Sequence, residues 1–231
     1  MFDRARFNGN NKQIRLFEEN NMKKLTALVL VALIVATSAS AVDFMVGPKV
    51  TVGDYSYRGS DWKDFKDFFG IKDKLSFSFS GGVFANLQLT SMIGVQVEGL
   101  FTRASFRYGD SSSWVQYSNY AIGVPVYARF DYDLGDYGVY VLAGPRVDIL
   151  FDKVKAKDST GATATGSLKD DQGYDRLFVV GAAVGAGVSV PAGSGVLDFG
   201  VGFNTGLTKV MDDYKGYPYS FDIQIAYGIG I

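Results

Sequence analysis

The chain has 231 residues, a formal net charge of −1, no Cys and no His. A balance so close to neutral implies no nucleic acid or other polyanion as partner. Without Cys there is no disulfide framework. Without His or Cys this chain supplies no Ser-His or Cys nucleophile and no His- or Cys-ligated zinc site.

The first 21 residues are polar and mixed in charge, and they fit no element; they read as an early-assigned start or a disordered extension. Met22-Lys23-Lys24 then opens a basic segment, residues 25–36 form an apolar core, and Ala39-Ser40-Ala41 is a small-x-small cleavage site. Together these make a secretory signal peptide over 22–41. Its core is short of the roughly 20 residues a membrane-spanning helix needs. Residues 42–231 suffice for one domain and are short for two.

From residue 42 onward, large apolar and small or polar residues alternate in eight segments: 42–57, 75–89, 93–108, 117–132, 137–151, 177–190, 195–208 and 219–231. In the last, Tyr219, Phe221, Ile223, Ile225, Tyr227, Ile229 and Ile231 oppose Ser220, Asp222, Gln224, Ala226, Gly228 and Gly230. A strict period of two marks strands whose faces meet different media. Gly and Ala on the polar side suit a crowded lumen better than bulk water, and the large face then points into lipid. The blurred far half of 93–108 predicts a bulge or emergence from the membrane there. The predicted fold is all-β: an eight-stranded antiparallel up-and-down transmembrane β-barrel.

The predicted connections alternate in length. Segments 90–92, 133–136 and 192–194 are tight, while 59–74, 109–116, 152–176 and 210–218 are longer, which is the pattern of periplasmic turns and external loops. Tyr55, Tyr57, Tyr108, Trp114, Tyr120, Tyr132, Tyr137, Tyr217 and Tyr219 fall near strand ends, where interfacial girdles sit. In the first long loop, Trp62, Phe65, Phe68 and Phe69 recur at helical spacing among Lys and Asp. They are candidates for a surface contact, or for a helix packed on its own rim.

The register puts Lys49, Glu98, Arg129, Asp131, Arg146, Asp148, Asp198 and Asp222 on the lumen face. Paired charges are how a narrow barrel tolerates a polar interior, so these read as a structural network. No catalytic, cofactor-binding or metal-binding residue is assigned. Gly161 and Gly166 have phosphate-loop spacing, but Ser167 stands where Lys is required. Asp170, Asp171, Asp175, Asp212 and Asp213 lack the spacing of a calcium loop.

Gly47-Pro48-Lys49, the strand Ile122-Gly123-Val124-Pro125-Val126-Tyr127-Ala128-Arg129, the segment Tyr140-Val141-Leu142-Ala143-Gly144-Pro145-Arg146 and the Gly-rich late strands carry a resemblance. The chain resembles the PorT-like outer-membrane β-barrel proteins, and more broadly the small barrels of the OmpA/OmpX type. The resemblance implies export to the outer membrane of a Gram-negative-type bacterium and no shared catalytic site. It also implies insertion by the barrel-assembly machinery, with outer-membrane lipid and lipopolysaccharide as surroundings. Such barrels end their last strand in an aromatic residue; here Ile231 takes that place.

The function expected is structural or surface interaction through the external loops, with an extracellular partner unidentified and without catalysis. Three alternatives stay open: a small pore or transport barrel, a soluble exported lipocalin-like ligand binder, and an enzyme using Asp and Glu alone. Amino-terminal sequencing of the membrane-extracted protein checks the export reading. Val42 is the expected first residue, and an intact Met1 or Met22 overturns a cleaved signal.

Overall fold

The computed structural model describes residues 43–231 except 71, 75, 111, 171–173, 175–176, 210 and 212–214, and also leaves aside the side chains of Phe69 and Lys74. The extension 1–21, the signal segment 22–41, Val42, Asp171, Asp175, Asp212 and Asp213 lie outside the described residues. The described elements are β1 (Asp43–Arg58), α1 (Ser60–Phe69), β2 (Lys72–Lys74), β3 (Phe77–Gln88), β4 (Ile93–Gly109), β5 (Trp114–Asp133), β6 (Gly138–Asp158), β7 (Thr163–Gly166), β8 (Phe178–Ala192), β9 (Gly195–Gly206) and β10 (Tyr217–Gly230).

Eight of the strands close a ring. β1 pairs β3, then β4, β5, β6, β8, β9 and β10 follow in order, and β10 returns to β1; every pairing is antiparallel. The closing seam runs from Met45↔Gly230 to Arg58↔Tyr217. Beyond the last paired strand residue, the Ile231 N–H still donates to Phe44 O at 2.9 Å. A closed ring leaves no open edge, so every strand finds backbone partners on both sides.

The alternation resolves into two faces. Val50, Val83, Val141, Val184, Ile223 and Ile225 are exposed on the outer wall, while Lys49, Phe84, Gln96, Glu98, Leu142 and Gln224 are buried inside. An apolar band that encircles the molecule far exceeds the patches a water-soluble monomer tolerates, and it matches hydrocarbon as its surroundings. Tight turns join β3–β4, β5–β6 and β8–β9 at one end. In the last of these, Gly193 takes φ 63, a left-handed conformation that costs glycine nothing.

Four expectations are corrected at the opposite end. β4 is regular to Gly109, and the irregularity lies between β5 and β6, where pairing steps from Asn119↔Val154 to Ala121↔Leu150. The predicted loop 109–116 is a tight connection, because β4 and β5 both run on. The predicted loop 152–176 is in part strand: β6 continues to Asp158, and β7 pairs with it from Lys157↔Thr163 to Val154↔Gly166. Of the expected girdle, Tyr55, Tyr57 and Tyr108 turn inward to pack in or against a core cluster, whereas Tyr132 and Tyr137 are exposed.

Neighbouring residues of β10 therefore meet opposite media. Ile225 is 42% exposed on the wall and Gln224 only 6% exposed in the lumen. Ile225→Lys is expected to lower the stability of the protein folded in lipid vesicles by about 2–4 kcal/mol, as a cation in hydrocarbon does. Gln224→Lys, beside Asp222 on the same face, is expected to lose less. Urea titration in vesicles measures both, and a reversed order would mean a register shifted by one.

Candidate functional site

The eight predicted lumen charges meet in two groups inside the barrel. In the first, Lys49 Nζ from β1 donates to Glu98 Oε1 of β4 at 2.6 Å, with both side chains buried. Gln96 links this pair to the next cation: its Nε2 donates to Glu98 Oε1 at 2.6 Å, and its Oε1 accepts from an Arg129 terminal nitrogen at 2.8 Å. That amide turns its donor to a carboxylate and its acceptor to a guanidinium. Arg129 of β5 also donates from Nε to Asp131 at 2.8 Å and from a terminal nitrogen to Asp198 of β9 at 2.8 Å. Ser189 of β8 accepts from Arg129 at 3.1 Å and donates to Asp198 at 2.6 Å. The guanidinium lies 4.3 Å from the centre of the Tyr140 ring, a cation–π contact.

The second group lies on β6, β9 and β10. Arg146 forks onto Asp148 through Nε and a terminal nitrogen, at 2.9 and 2.7 Å. Its other terminal nitrogen donates to Asn204 Oδ1 at 3.3 Å, and Asn204 Nδ2 donates to Asp222 at 2.8 Å. Glycine makes room for these long side chains. A β-carbon at Gly123 would stand 2.5 Å from Arg146, and one at Gly200 would stand 2.5 Å from the Tyr140 hydroxyl.

Three cations (Lys49, Arg129, Arg146) face five carboxylates (Glu98, Asp131, Asp148, Asp198, Asp222), a formal excess of two negative charges. Glu98 Oε2 is buried without a hydrogen-bond partner among the described residues. Glu98 borders a cavity of about 80 Å³ that Lys49, Tyr127, Arg146, Asp148 and Asp222 also line. A space of that size accommodates on the order of five waters.

Above the cavity the interior turns aromatic. Tyr57, Trp62, Leu150, Val154, Leu168, Tyr174 and Val179 form a buried cluster against which Phe65, Phe106, Tyr108 and Tyr117 pack. The Tyr57 and Tyr174 hydroxyls are 2.6 Å apart. Trp62 stacks on Phe65 at 5.6 Å, so α1 lies over the barrel mouth with its aromatic face inward. Of the two readings of this loop, Trp62 and Phe65 take that of a helix packed on its own rim and not that of a surface contact. Phe68 is 84% exposed, and the Phe69 side chain lies outside the described residues. The C-terminus of α1 closes on Gly70, whose φ of 62 suits glycine. Its N-terminus is tied to the last loop by Asp61, which accepts the Lys215 N–H at 2.8 Å and the Ser60 hydroxyl at 2.8 Å. These two donors hold the Asp61 carboxyl below the usual carboxylate range.

A family model described as an outer membrane protein beta-barrel domain matches residues 28–212. The chain belongs to that family. It resides in the outer membrane of a Gram-negative-type bacterium, and the apolar band described above is the lipid-facing belt of an outer-membrane barrel. Similar solved structures include Neisserial surface protein A, at 15% identity, covering 81% of this chain and 98% of that one with a TM-score of 0.45. OprG from Pseudomonas aeruginosa is 10% identical over 83% and 96%, with a TM-score of 0.44. Ail of Yersinia pestis is 16% identical over 81% and 97%, with a TM-score of 0.37. No curated protein matches the chain.

Gln96, Ser189, Asn204 and Tyr140 were not singled out from the sequence, although each sits at a lumen-side position of its strand. The parity was readable, but the partnership across strands was not.

The Lys49–Glu98 pair carries a measurable consequence. Lys49→Met leaves a buried carboxylate without its cation and is expected to destabilise the barrel by about 3–5 kcal/mol. Adding Glu98→Gln removes the stranded charge and is expected to recover most of that loss. Urea unfolding in vesicles of the two single variants and the double variant tests this. Additive losses would show that the two side chains are not coupled.

Proposed function

We propose that this outer-membrane barrel acts through its external segments, with a sealed interior that conducts no solute and catalyses no reaction. One observation supports the reading: side chains cross the interior at two levels, the Lys49–Glu98–Gln96–Arg129–Asp198 chain near the tight-turn end and the Trp62–Tyr57–Tyr174 cluster at the loop end. Solute passage would have to break buried ion pairs and then displace packed aromatic rings. The eight lumen charges serve in this reading as structural filling. The carboxylates lie against guanidinium, ammonium or amide groups, which suits packing better than proton transfer.

The likeness to PorT-like barrels, carried by Gly47-Pro48-Lys49 and the Ile122 to Arg129 strand, belongs to the same reading. So does insertion by the barrel-assembly machinery, with Tyr227 and the alternation of β10 as the segment recognised.

Planar-bilayer recording of the purified, folded protein tests the proposal. No stable conductance comparable to that of a general porin is expected. Reproducible large channels would overturn the sealed interior and favour transport.

A further inference from the structure

The sheet does not stop at the lipid belt. β4, β5 and β6 run on beyond it, and β2 and β7 add to their edges. Two rows cross this extension: Arg107–Gln116–Lys157–Thr163 and Ser105–Ser118–Lys155–Thr165. Side chains alternate between faces, and Phe106, Tyr117 and Val154 take the inner one by packing in or against the mouth cluster. Lys155, Lys157, Thr163 and Thr165 of these rows are therefore exposed on the outer side, as are Lys72 and Lys153, and Arg103, Arg107 and Gln116 are half-exposed there, whereas Ser105 and Ser118, bonded to each other at 2.8 Å, are buried.

The face thus carries Lys72, Arg103, Arg107, Lys153, Lys155 and Lys157, and among the described residues no acidic side chain takes an outward position in these rows. Asp152 and Asp158 flank it, each accepting from its own loop: Asp152 from the Ser167 hydroxyl at 2.8 Å, Asp158 from the Thr160 hydroxyl at 2.7 Å. No side chain of Lys153, Lys155 or Lys157 makes a hydrogen bond or ion pair within the described residues. The guanidinium of Arg107 lies over the Trp114 ring, 4.2 Å from its centre, and donates to Gln116 Oε1 at 2.6 Å. Among the described residues Arg103 Nε is buried without an acceptor, while a terminal nitrogen donates to Ser118 Oγ at 3.4 Å.

Position identifies the counter-charge. Directly below the basic rows lie Phe101, Tyr120 and Phe151, with Phe101 stacked on Tyr120 at 5.7 Å and 6.1 Å from Phe151. Tyrosine and tryptophan rings on the outer wall favour the hydrocarbon–headgroup boundary, and Tyr120 stands there, paired with Arg103. The basic face therefore stands at headgroup height and looks sideways, into the leaflet. We infer that this face binds the phosphate groups of outer-leaflet lipopolysaccharide. Guanidinium forks and a row of ammonium groups match phosphate oxygens, and a bound phosphate relieves the mutual repulsion of the cations.

This inference rests on the external segments being the working surface. The test is a binding titration of the full chain, folded in zwitterionic detergent, against lipid A with and without its phosphates. Inorganic phosphate and a sulfated polysaccharide form separate arms, and conductance is recorded on the same preparation. Phosphorylated lipid A is expected to bind about a hundredfold more tightly than the dephosphorylated form, and the Lys153→Gln, Lys155→Gln, Lys157→Gln triple variant is expected to lose a similar factor. Lys63→Gln with Lys169→Gln, away from these rows, should leave binding unchanged. Inorganic phosphate should not compete at equal concentration, because it lacks the acyl chains that sit on the belt below. If the triple variant does not fold, the unmodified protein still decides: its affinity must fall steeply with added salt. Equal affinity for both lipid A forms, an unaffected triple variant or salt-independent binding overturns the inference. Tighter binding of the sulfated polysaccharide than of lipid A overturns the assignment to lipid. A conducting barrel that keeps the phosphate dependence would defeat the sealed-interior reading and leave this site standing.

Discussion

The pairing of β1 with β10 is the constraint on which the rest of the molecule depends. Hydrocarbon offers no hydrogen bonds, so a sheet in lipid must leave no edge unpaired. Closure with eight strands, from the Met45↔Gly230 end of the seam to Arg58↔Tyr217, fixes the ring at a width that side chains can fill. The period of two follows from that closure, since one face of every strand must be apolar and the other must fit a narrow tube.

Filling the tube is a problem of volume and of charge together. β8 and β9 present Gly181, Gly185, Gly187, Gly200 and Gly202 toward the interior, and the opposing bulk comes from Tyr140, Arg146 and Gln224. Gly200 is needed because the Tyr140 hydroxyl occupies the place of its β-carbon. Tyr140 in turn lies against the Arg129 guanidinium, whose partners on β4, β5, β8 and β9 tie four strands together. A glycine that looks weak in a strand therefore supports an ion pair whose guanidinium comes from a strand three places round the ring. Hydrogen bonds to Gln96 and Ser189 meet part of the desolvation that such buried charges carry.

Much of this was legible in the residues. Strand number, facing and the eight inward charges all follow from alternation, because lipid and lumen impose opposite chemistry on adjacent positions. What failed was the region where that contrast vanishes. Beyond the membrane both faces of a strand can be polar, so Lys153-Val154-Lys155-Ala156-Lys157 alternates without looking like a barrel strand, and its stretch reads as loop. The same limit shortened the expected β5 and left a bulge in β4 as one of two readings of its far half, where the irregularity lies between β5 and β6. For α1 the helical spacing of aromatics was readable, but not the direction of its apolar face. That direction is set by Tyr57, Phe106 and Tyr108, which come from two other strands.

The two ends of the barrel are closed by different physics, and the difference follows from position in the chain. Near the tight turns strands leave the membrane at once, so only side chains already in the wall can close the interior; Arg129, Asp131 and Asp198 do so by pairing across it. At the loop end the chain has length to spare, and α1 folds back to lay Trp62 and Phe65 over the mouth. With the aromatic groups drawn inward there, the outer side of the extended sheet is left to long basic side chains. The burial of Trp62 and the outward display of Lys155 and Lys157 are thus two results of one arrangement: a sheet taller than the membrane, whose inner side is covered by its own loops and whose outer side is not.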